Sequence, residues 1–342
     1  MNKVIFEYIW IGGNGELRSK TRVLNNIVFD MNLSNVPEWN YDGYYTNQMN
    51  DNKNNTKVIL KPKFVCKDPI RIINGCECYL VLCDNYDIDG NPLSGNERVD
   101  AVKRFEEKLD EYPLFGLEQE YFMIKNSWNY HVKQGEYYCG TRNGIIPRKI
   151  VEEHLKACIQ SGLLISGINA EVATFQWKFK IGPCFGIIAA DQLYMSRYLL
   201  ERIADKYDVL ISYKPKCFED LNGSGCHTNF STFKMREKGG INEIYDCMEK
   251  LRMTHKKYMI EENYGIDNHL RLTSIHETEN YKKFSFGIGT RNTSISISNQ
   301  TVKDSCGYFE DRRPAANMNP YLVTSLIFET CCLEKDLDVE LD

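Results

Sequence analysis

The stretch FGLEQEYFMI, residues 115–124, reads as a strand that carries chemistry. Phe115, Leu117 and Tyr121 mark it as otherwise buried. Glu118 and Glu120 are two residues apart, so both carboxylates stand on one face. Two like charges side by side in a buried setting repel strongly unless something positive lies between them. Two readings fit: a divalent hard cation held by the pair, or a polar sheet face partnered by Lys or Arg. A second stretch, TFQWKFKIGP (174–183), alternates Phe175, Trp177, Phe179 and Ile181 with Gln176, Lys178 and Lys180. Its polar face therefore carries two lysines, and by pattern alone Lys178 is solvated.

The composition around these strands is that of a globular protein. With 342 residues, 42% hydrophobic and 26% charged, there is room for one large domain or two ordinary ones. A net charge of −5, with acids and bases well mixed, argues against nucleic-acid affinity, which needs a concentrated basic patch. No run of apolar residues is long enough to predict a membrane span. MNKVIFEYIWIGGNGE lacks the cleavage site of a signal peptide and predicts a first strand ending in a Gly-Asn-Gly turn. Thirteen cysteines without a secretory signal predict reduced thiols and a cytoplasmic location. Cys76, Cys78 and Cys83 have the wrong spacing for a zinc knuckle and read as small buried hydrophobes.

Strands are predicted at KVIFEYIWI, TRVLNNIVF, TKVILKPKFVC and CYLVLC, with a mobile Asn-rich loop at 47–55. The turn-rich DNYDIDGNPLSGNERVD follows, and its Asn85, Asp87, Asp89 and Gly90 read as a linker turn rather than a calcium loop. From there, helices (NERVDAVKRFEEKLDEY, PRKIVEEHLKACIQSG, DQLYMSRYLLERIADKYD, INEIYDCMEKLRMTHKKYM) interleave with strands (FGLEQEYFMI, FQWKFKI, CHTNFSTFK, FSFGIG, SISIS). The expectation is an α+β protein: a small β-rich domain over 1–93 and a larger one over 94–342.

Several chemistries are excluded by motif. There is no P-loop, no GxGxxG after a strand, no HExxH and no GxSxG. Cys226 and His227 are adjacent, so on a strand they face opposite ways and form no nucleophile–base pair. Glu171, His227, Glu277 and Glu310 join the first two acids as candidates. Carboxylates with one imidazole and no thiolate suit Mg2+ or Mn2+ better than zinc. Arg271, Arg291, Arg312 and Arg313 accompany them, and arginine forks bind carboxylate and phosphate. Metal with clustered arginine suggests phosphoryl transfer.

At these residues the chain resembles eukaryotic-type glutamine synthetases. The matching blocks include YIWIGGNGELRSKTR (8–22), PEWNYDG (37–43), FGLEQEY (115–121), INAEV (168–172), QWKFKIGP (176–183), NGSGCHTNFST (222–232), IDNHLRLTSIHET (266–278) and GYFEDRRPAAN (307–317). The resemblance implies an N-terminal β-grasp domain and a catalytic domain on a curved antiparallel sheet with flanking helices. It implies a homo-oligomer, a decamer of two pentameric rings, whose active sites lie between neighbouring subunits. It also implies ATP-dependent joining of ammonia to L-glutamate through γ-glutamyl phosphate. The second metal site, at the ATP phosphates, would be Glu118, His227 and Glu310. The first would be Glu120, Glu171 and a third acid. Asp42 would take a proton from ammonium, Glu277 would close that pocket, and Tyr138 would line it. Asn222, Gly223, Arg271 and Arg312 would hold glutamate, and Arg291 and Arg312 would handle the ATP phosphates.

The chain departs from the family pattern at informative positions. Lys178 stands where the third acid of the first metal site belongs. Ser296 replaces a phosphate-side arginine, and Leu270 replaces another arginine. Leu114 replaces a tryptophan beside the nucleotide, and Tyr44 and Tyr45 replace small serines. The alternative expectation is thus a catalytically impaired homologue, a pseudoenzyme or regulatory ring subunit.

Overall fold

Two sheets follow from two sets of alternating apolar residues. The computed structural model describes residues 3–49, 55–130, 136–141 and 145–335. The chain divides into two compact units, Met1–Asp100 with Lys156–Leu163, and Ala101–Leu155 with Leu164–Asp342.

The first unit holds β1 (Lys3–Ile11), β2 (Leu17–Asn25), β3 (Trp39–Asp42), β4 (Lys57–Lys67) and β5 (Cys76–Tyr86), in the order β2-β1-β5-β4-β3. β1 and β5 are parallel, and the other pairings are antiparallel. Val4, Phe6, Tyr8 and Trp10 of β1 pack with Val58, Leu60, Tyr79, Val81 and Cys83. Cys83 therefore faces away from Cys76 and Cys78, since parity along a strand sets the face. β2 begins four residues before the predicted TRVLNNIVF and stops at Asn25, because Asn26 turns to a left-handed φ of 60°. Pairing with β1 forms this polar edge strand despite its weak propensity. In the linker, Asp87 Oδ1 accepts from the amides of Asp89 and Asn91 at 3.0 and 2.8 Å, so that carboxylate closes its own turn. Residues 50–54 of the Asn-rich loop lie outside the described residues.

The second unit is built on an eight-stranded sheet. β6 (Leu114–Ile124) runs at its centre, between β8 (Gln176–Phe185) and β10 (Cys226–Ser231). β7 (Ile165–Ala170) lies outside β8, and β9 (Leu210–Ser212) pairs with the end of β6. β13 (Phe309–Asp311), β12 (Ile295–Ile297) and β11 (Phe286–Ile288) continue beyond β10. Only the short β11–β12 pair is parallel within this sheet.

The helices are α1 (Glu97–Glu106), α2 (Ile145–Gln160), α3 (Ile188–Asp205), α4 (Phe233–Arg236), α5 (Ile241–Ile260), α6 (Asn299–Asp304) and α7 (Pro320–Phe328). CHTNFSTFK is thus a strand only as far as Ser231, where the Thr232 side chain caps α4. α7, almost wholly buried, starts with Pro320 behind the Asn319 cap. The α+β class is as expected. All thirteen cysteines are free thiols. Among the described residues no helix is long and apolar enough to cross a membrane.

One helix carries a pH-sensitive burden. Arg197, Glu201 and Asp205 follow at four-residue intervals on α3. Burial raises the Glu201 carboxyl, Arg197 opposes this and Asp205 adds to it, and the result is about 7. The folded chain then binds this proton more tightly than the unfolded one, so stability falls as pH rises from the ordinary 4.5 through about 7. Glu201→Gln should stabilise the protein by up to about 3 kcal/mol above about pH 8 and by almost nothing below about pH 4. Urea unfolding at both pH values checks this, and a gain independent of pH would refute it.

Candidate active site

Adjacent strands bring the acids of the second unit to one sheet face. Glu118 on β6 stands opposite His227 on β10 and Lys180 on β8. Glu120, one step along the same face, stands opposite Lys178. Glu310 on β13 pairs with Asn229, so it lies diagonal to His227. Glu171 follows the last residue of β7, where its amide donates to the Gln176 carbonyl at 2.9 Å and closes the turn into β8. These side chains line a cavity of about 440 Å3 with Asn222, Gly223, Arg271, Glu277, Arg291 and Arg312.

Glu118, His227 and Glu310 each aim one ligand atom inward, all within 4.8 Å of one another. His227 Nδ1 is buried and has no hydrogen-bond partner. Glu310 Oε1 lies 3.0 Å from it, but out of line for a hydrogen bond. Burial first, then the positive charges of Arg312, Lys178 and Arg271, hold the imidazole well below its ordinary pKa, so it is neutral. A neutral imidazole with an orphaned nitrogen between two carboxylates fits a divalent cation of the Mg2+ or Mn2+ type. Gly225 makes room for the ring, because a Cβ there would stand 2.9 Å from His227 Nε2.

Glu120 and Glu171 are held differently. Lys178 Nζ stands 3.1 Å from Glu120 Oε1, 3.1 Å from Glu171 Oε1 and 3.4 Å from Glu118 Oε2. Burial pushes Glu118 and Glu120 up, but Lys178 above all outweighs it and both lie below the usual carboxylate range. Glu171 is raised by burial and by Glu120 in spite of Lys178. Lys178 itself is raised: the three carboxylates overcome its burial. Far from being solvated, its ammonium lies among three carboxylates, those of Glu118, Glu120 and Glu171. Lys180 adds a 3.2 Å contact to Glu118 Oε2. Its alternation with Lys178 was the signal for that contact.

The arginines divide. Arg271 is buried and gives one guanidinium nitrogen to the carbonyls of Arg312, Arg313 and Pro314 at 3.0, 2.7 and 3.2 Å. Burial lowers its pKa to about 10, partly offset by Glu120. Gly223 packs against it so closely that a Cβ would come within 2.4 Å of Arg271 Cγ. Arg312 donates to Glu310 Oε1 at 2.9 Å. Arg291 donates to both Glu277 oxygens at 3.4 and 3.5 Å and lies 6.0 Å from the Tyr138 ring centre. Arg313 does not join them. It turns into the core onto Asp311, since it neighbours Arg312 and points the other way.

The loop with Glu277 holds Ser274, His276 and Glu277 all at positive φ, 64°, 55° and 62°. Left-handed backbone at three non-glycine residues is costly, and such strain clusters at functional sites.

The remaining positions are also placed. Ser296 lines the cavity opposite Glu310 and brings no charge. Leu270 is exposed. Leu114 lines a second, more apolar cavity of about 480 Å3 with Pro183, Phe230 and Tyr308, and Glu118 and Lys180 border both cavities. Asp42, Tyr44 and Tyr45 belong to the first unit. Asp42 Oδ1 accepts from the Tyr44 amide at 3.1 Å, and the two exposed tyrosine rings meet edge to face.

A sheet face bearing acids, an orphaned imidazole and arginines around a polar cavity defines an enzyme catalytic domain. Residues 100–333 match the family model described as glutamine synthetase, catalytic domain. The chain belongs to the glutamine synthetase family.

A protein of Acanthamoeba polyphaga mimivirus is 50% identical over 339 residues, 96% of this chain and 94% of that one. The "Glutamine synthetase cytosolic isozyme" of Pinus sylvestris is 45% identical over 347 residues, covering 97% and 95%. The "Glutamine synthetase" of Saccharomyces cerevisiae is 44% identical over 340 residues, covering 96% and 90%. The solved structure "GmaS/ADP complex-Conformation 1" superposes with a TM-score of 0.75 at 17% identity, covering 98% of this chain and 80% of that one, and so shares the fold.

Proposed function

We propose that this chain is an ATP-dependent glutamate–ammonia ligase. One observation carries the reading: Glu118, His227 and Glu310 converge, with an orphaned imidazole nitrogen, in a cavity that also holds Arg271, Arg291 and Arg312. A divalent cation at those three ligands would supply charge neutralisation for the ATP phosphates. Arg271 and the Asn222–Gly223 turn bind glutamate, and the apolar cavity beside Leu114 takes the nucleotide base. Arg312 and Arg291 stabilise charge on the phosphoryl group as it moves.

A carboxylate is a poor electrophile, so the γ-carboxylate oxygen first takes the terminal phosphoryl group of ATP and ADP leaves. Ammonia then attacks the carbonyl carbon of this acyl phosphate, its C–O bond to phosphate breaks, the departing phosphate takes a proton from the nitrogen, and the C–N bond of glutamine remains. Asp42 accepts the proton released from ammonium, and Glu277 with Tyr138 closes the pocket. The assembly we infer is a homo-oligomer, a decamer of two pentameric rings in which Asp42 comes from another copy. The compartment we infer is the cytoplasm.

The test is glutamine formation from glutamate, ammonia and MgATP. Turnover above background is expected, and none would overturn the reading. A catalytically impaired ring subunit is the second reading, favoured by the Lys178 contacts at 3.1 Å to Glu120 and Glu171.

A further inference from the structure

Lys178 is placed by strand register. β8 runs between β6 and β7, and Lys178 stands opposite Glu120 on one side and Asn169 on the other. An ammonium has three N–H donors, and Glu118, Glu120 and Glu171 each offer it one oxygen. The cage is braced from outside. The Gly225 amide donates to Glu120 Oε2 at 2.8 Å, and Asn169 Nδ2 donates to Glu171 Oε1 at 3.0 Å. The Lys178 side chain is only 12% exposed, so water does little to screen these contacts.

We propose that the Lys178 ammonium is the built-in cation of the Glu120–Glu171 cage, so that the cavity takes one divalent ion, at Glu118–His227–Glu310. The inference concerns the site of the proposed ligase but not its turnover. A hard dication binds carboxylate oxygens at about 2.0–2.2 Å. In this cage it would compete for the two oxygens the ammonium already uses, against a like charge in a site poor in water. The lysine thus neutralises part of the acidic face with a charge that cannot dissociate. Metal saturation is therefore that of a single site.

Manganese counting tests this directly. The nucleotide-free protein is titrated with Mn2+, and free ion is read by electron paramagnetic resonance. His227→Asn should lower the bound count by one per chain, and Lys178→Glu should raise it by one above wild type. Differences cancel any ion on the exposed Glu262–Asp267–His269 group.

Crystals of the wild type soaked in Mn2+ should show an anomalous peak at His227 and none between Glu120 and Glu171. A peak in that cage, no peak at His227, or a folded Lys178→Glu chain that gains no ion would overturn the proposal. If Lys178→Glu does not fold, the wild-type map still decides. A chain with one ion and no glutamine formation keeps this inference and refutes the ligase reading. A chain that makes glutamine with ions in both places does the reverse.

Discussion

Exchange of His227 for Ala is expected to lower glutamine formation about 10^3-fold or more while leaving the chain folded. The reason lies in what the imidazole does without a ligand present. Its Nδ1 is buried and makes no hydrogen bond, and the nearest carboxylate, 3.0 Å away on Glu310, is misaligned. A group left like this destabilises the fold slightly, so removing it should change stability in chelator by less than about 1 kcal/mol.

Stabilisation by added Mg2+ should vanish. In the wild type a ligand at a hundred times its Kd contributes about 2.7 kcal/mol, and the variant should show none of it. Coupled glutamine assays and urea unfolding with and without Mg2+ check both halves. Activity within about tenfold of wild type would remove His227 from the metal centre.

The strands that carry the site were legible because their residues alternate. FGLEQEYFMI and QWKFKIGP are long enough for the period of two to show, and their acids and lysines fall on one face as parity requires. Two short strands of the same sheet were not legible. β9 and β13 have three residues each, too few for a period, and pairing with neighbours decides them, whereas β11 and β12 fall inside the predicted FSFGIG and SISIS. That failure misplaced Arg313. Once Phe309–Asp311 is a strand, Glu310 faces the cavity and Asp311 the core, and Arg312 and Arg313 continue the alternation.

Lys178 failed differently. Alternation put it on the polar face correctly, but pattern alone equates a polar face with solvent. Across the strand pairs that face meets Glu118 and Glu120, and beyond β7 it meets Glu171, none of them neighbours in sequence. The family pattern flagged the position, and the register supplied the physics. Asp42 was legible only by resemblance, since a lone acid at the end of a four-residue strand carries no signal of its own.

Asp311→Ala should destabilise the second unit by about 3–5 kcal/mol, because it strands a buried guanidinium. Arg313 donates from Nε to Asp311 Oδ1 at 2.9 Å and from Nη2 to Oδ2 at 2.6 Å, and the pair is almost wholly buried, at 1% and 0% exposure. The Tyr264 hydroxyl accepts a further bond at 3.1 Å, and the guanidinium lies 4.7 Å from the Tyr264 ring centre and 5.3 Å from that of Phe284. His255 is no substitute anion. Burial, then Arg313 itself, lower its pKa to about 3, so it stays neutral.

The damage should reach the cavity as well. The Arg313 carbonyl accepts from Arg271 Nη2 and from Asn268 Nδ2, both at 2.7 Å, so a shifted Arg313 loosens the arginine proposed to hold glutamate. KM for glutamate should rise, in conditions where the protein is still folded, more than kcat falls. Replacing both partners with apolar residues, Asp311→Leu with Arg313→Met, should recover most of the stability, since neither charge is then buried alone. Urea unfolding at matched protein concentration measures all three chains. A loss below about 1 kcal/mol for Asp311→Ala, or a double variant no better than the single one, would show that this pair does not hold β13 in place behind the site.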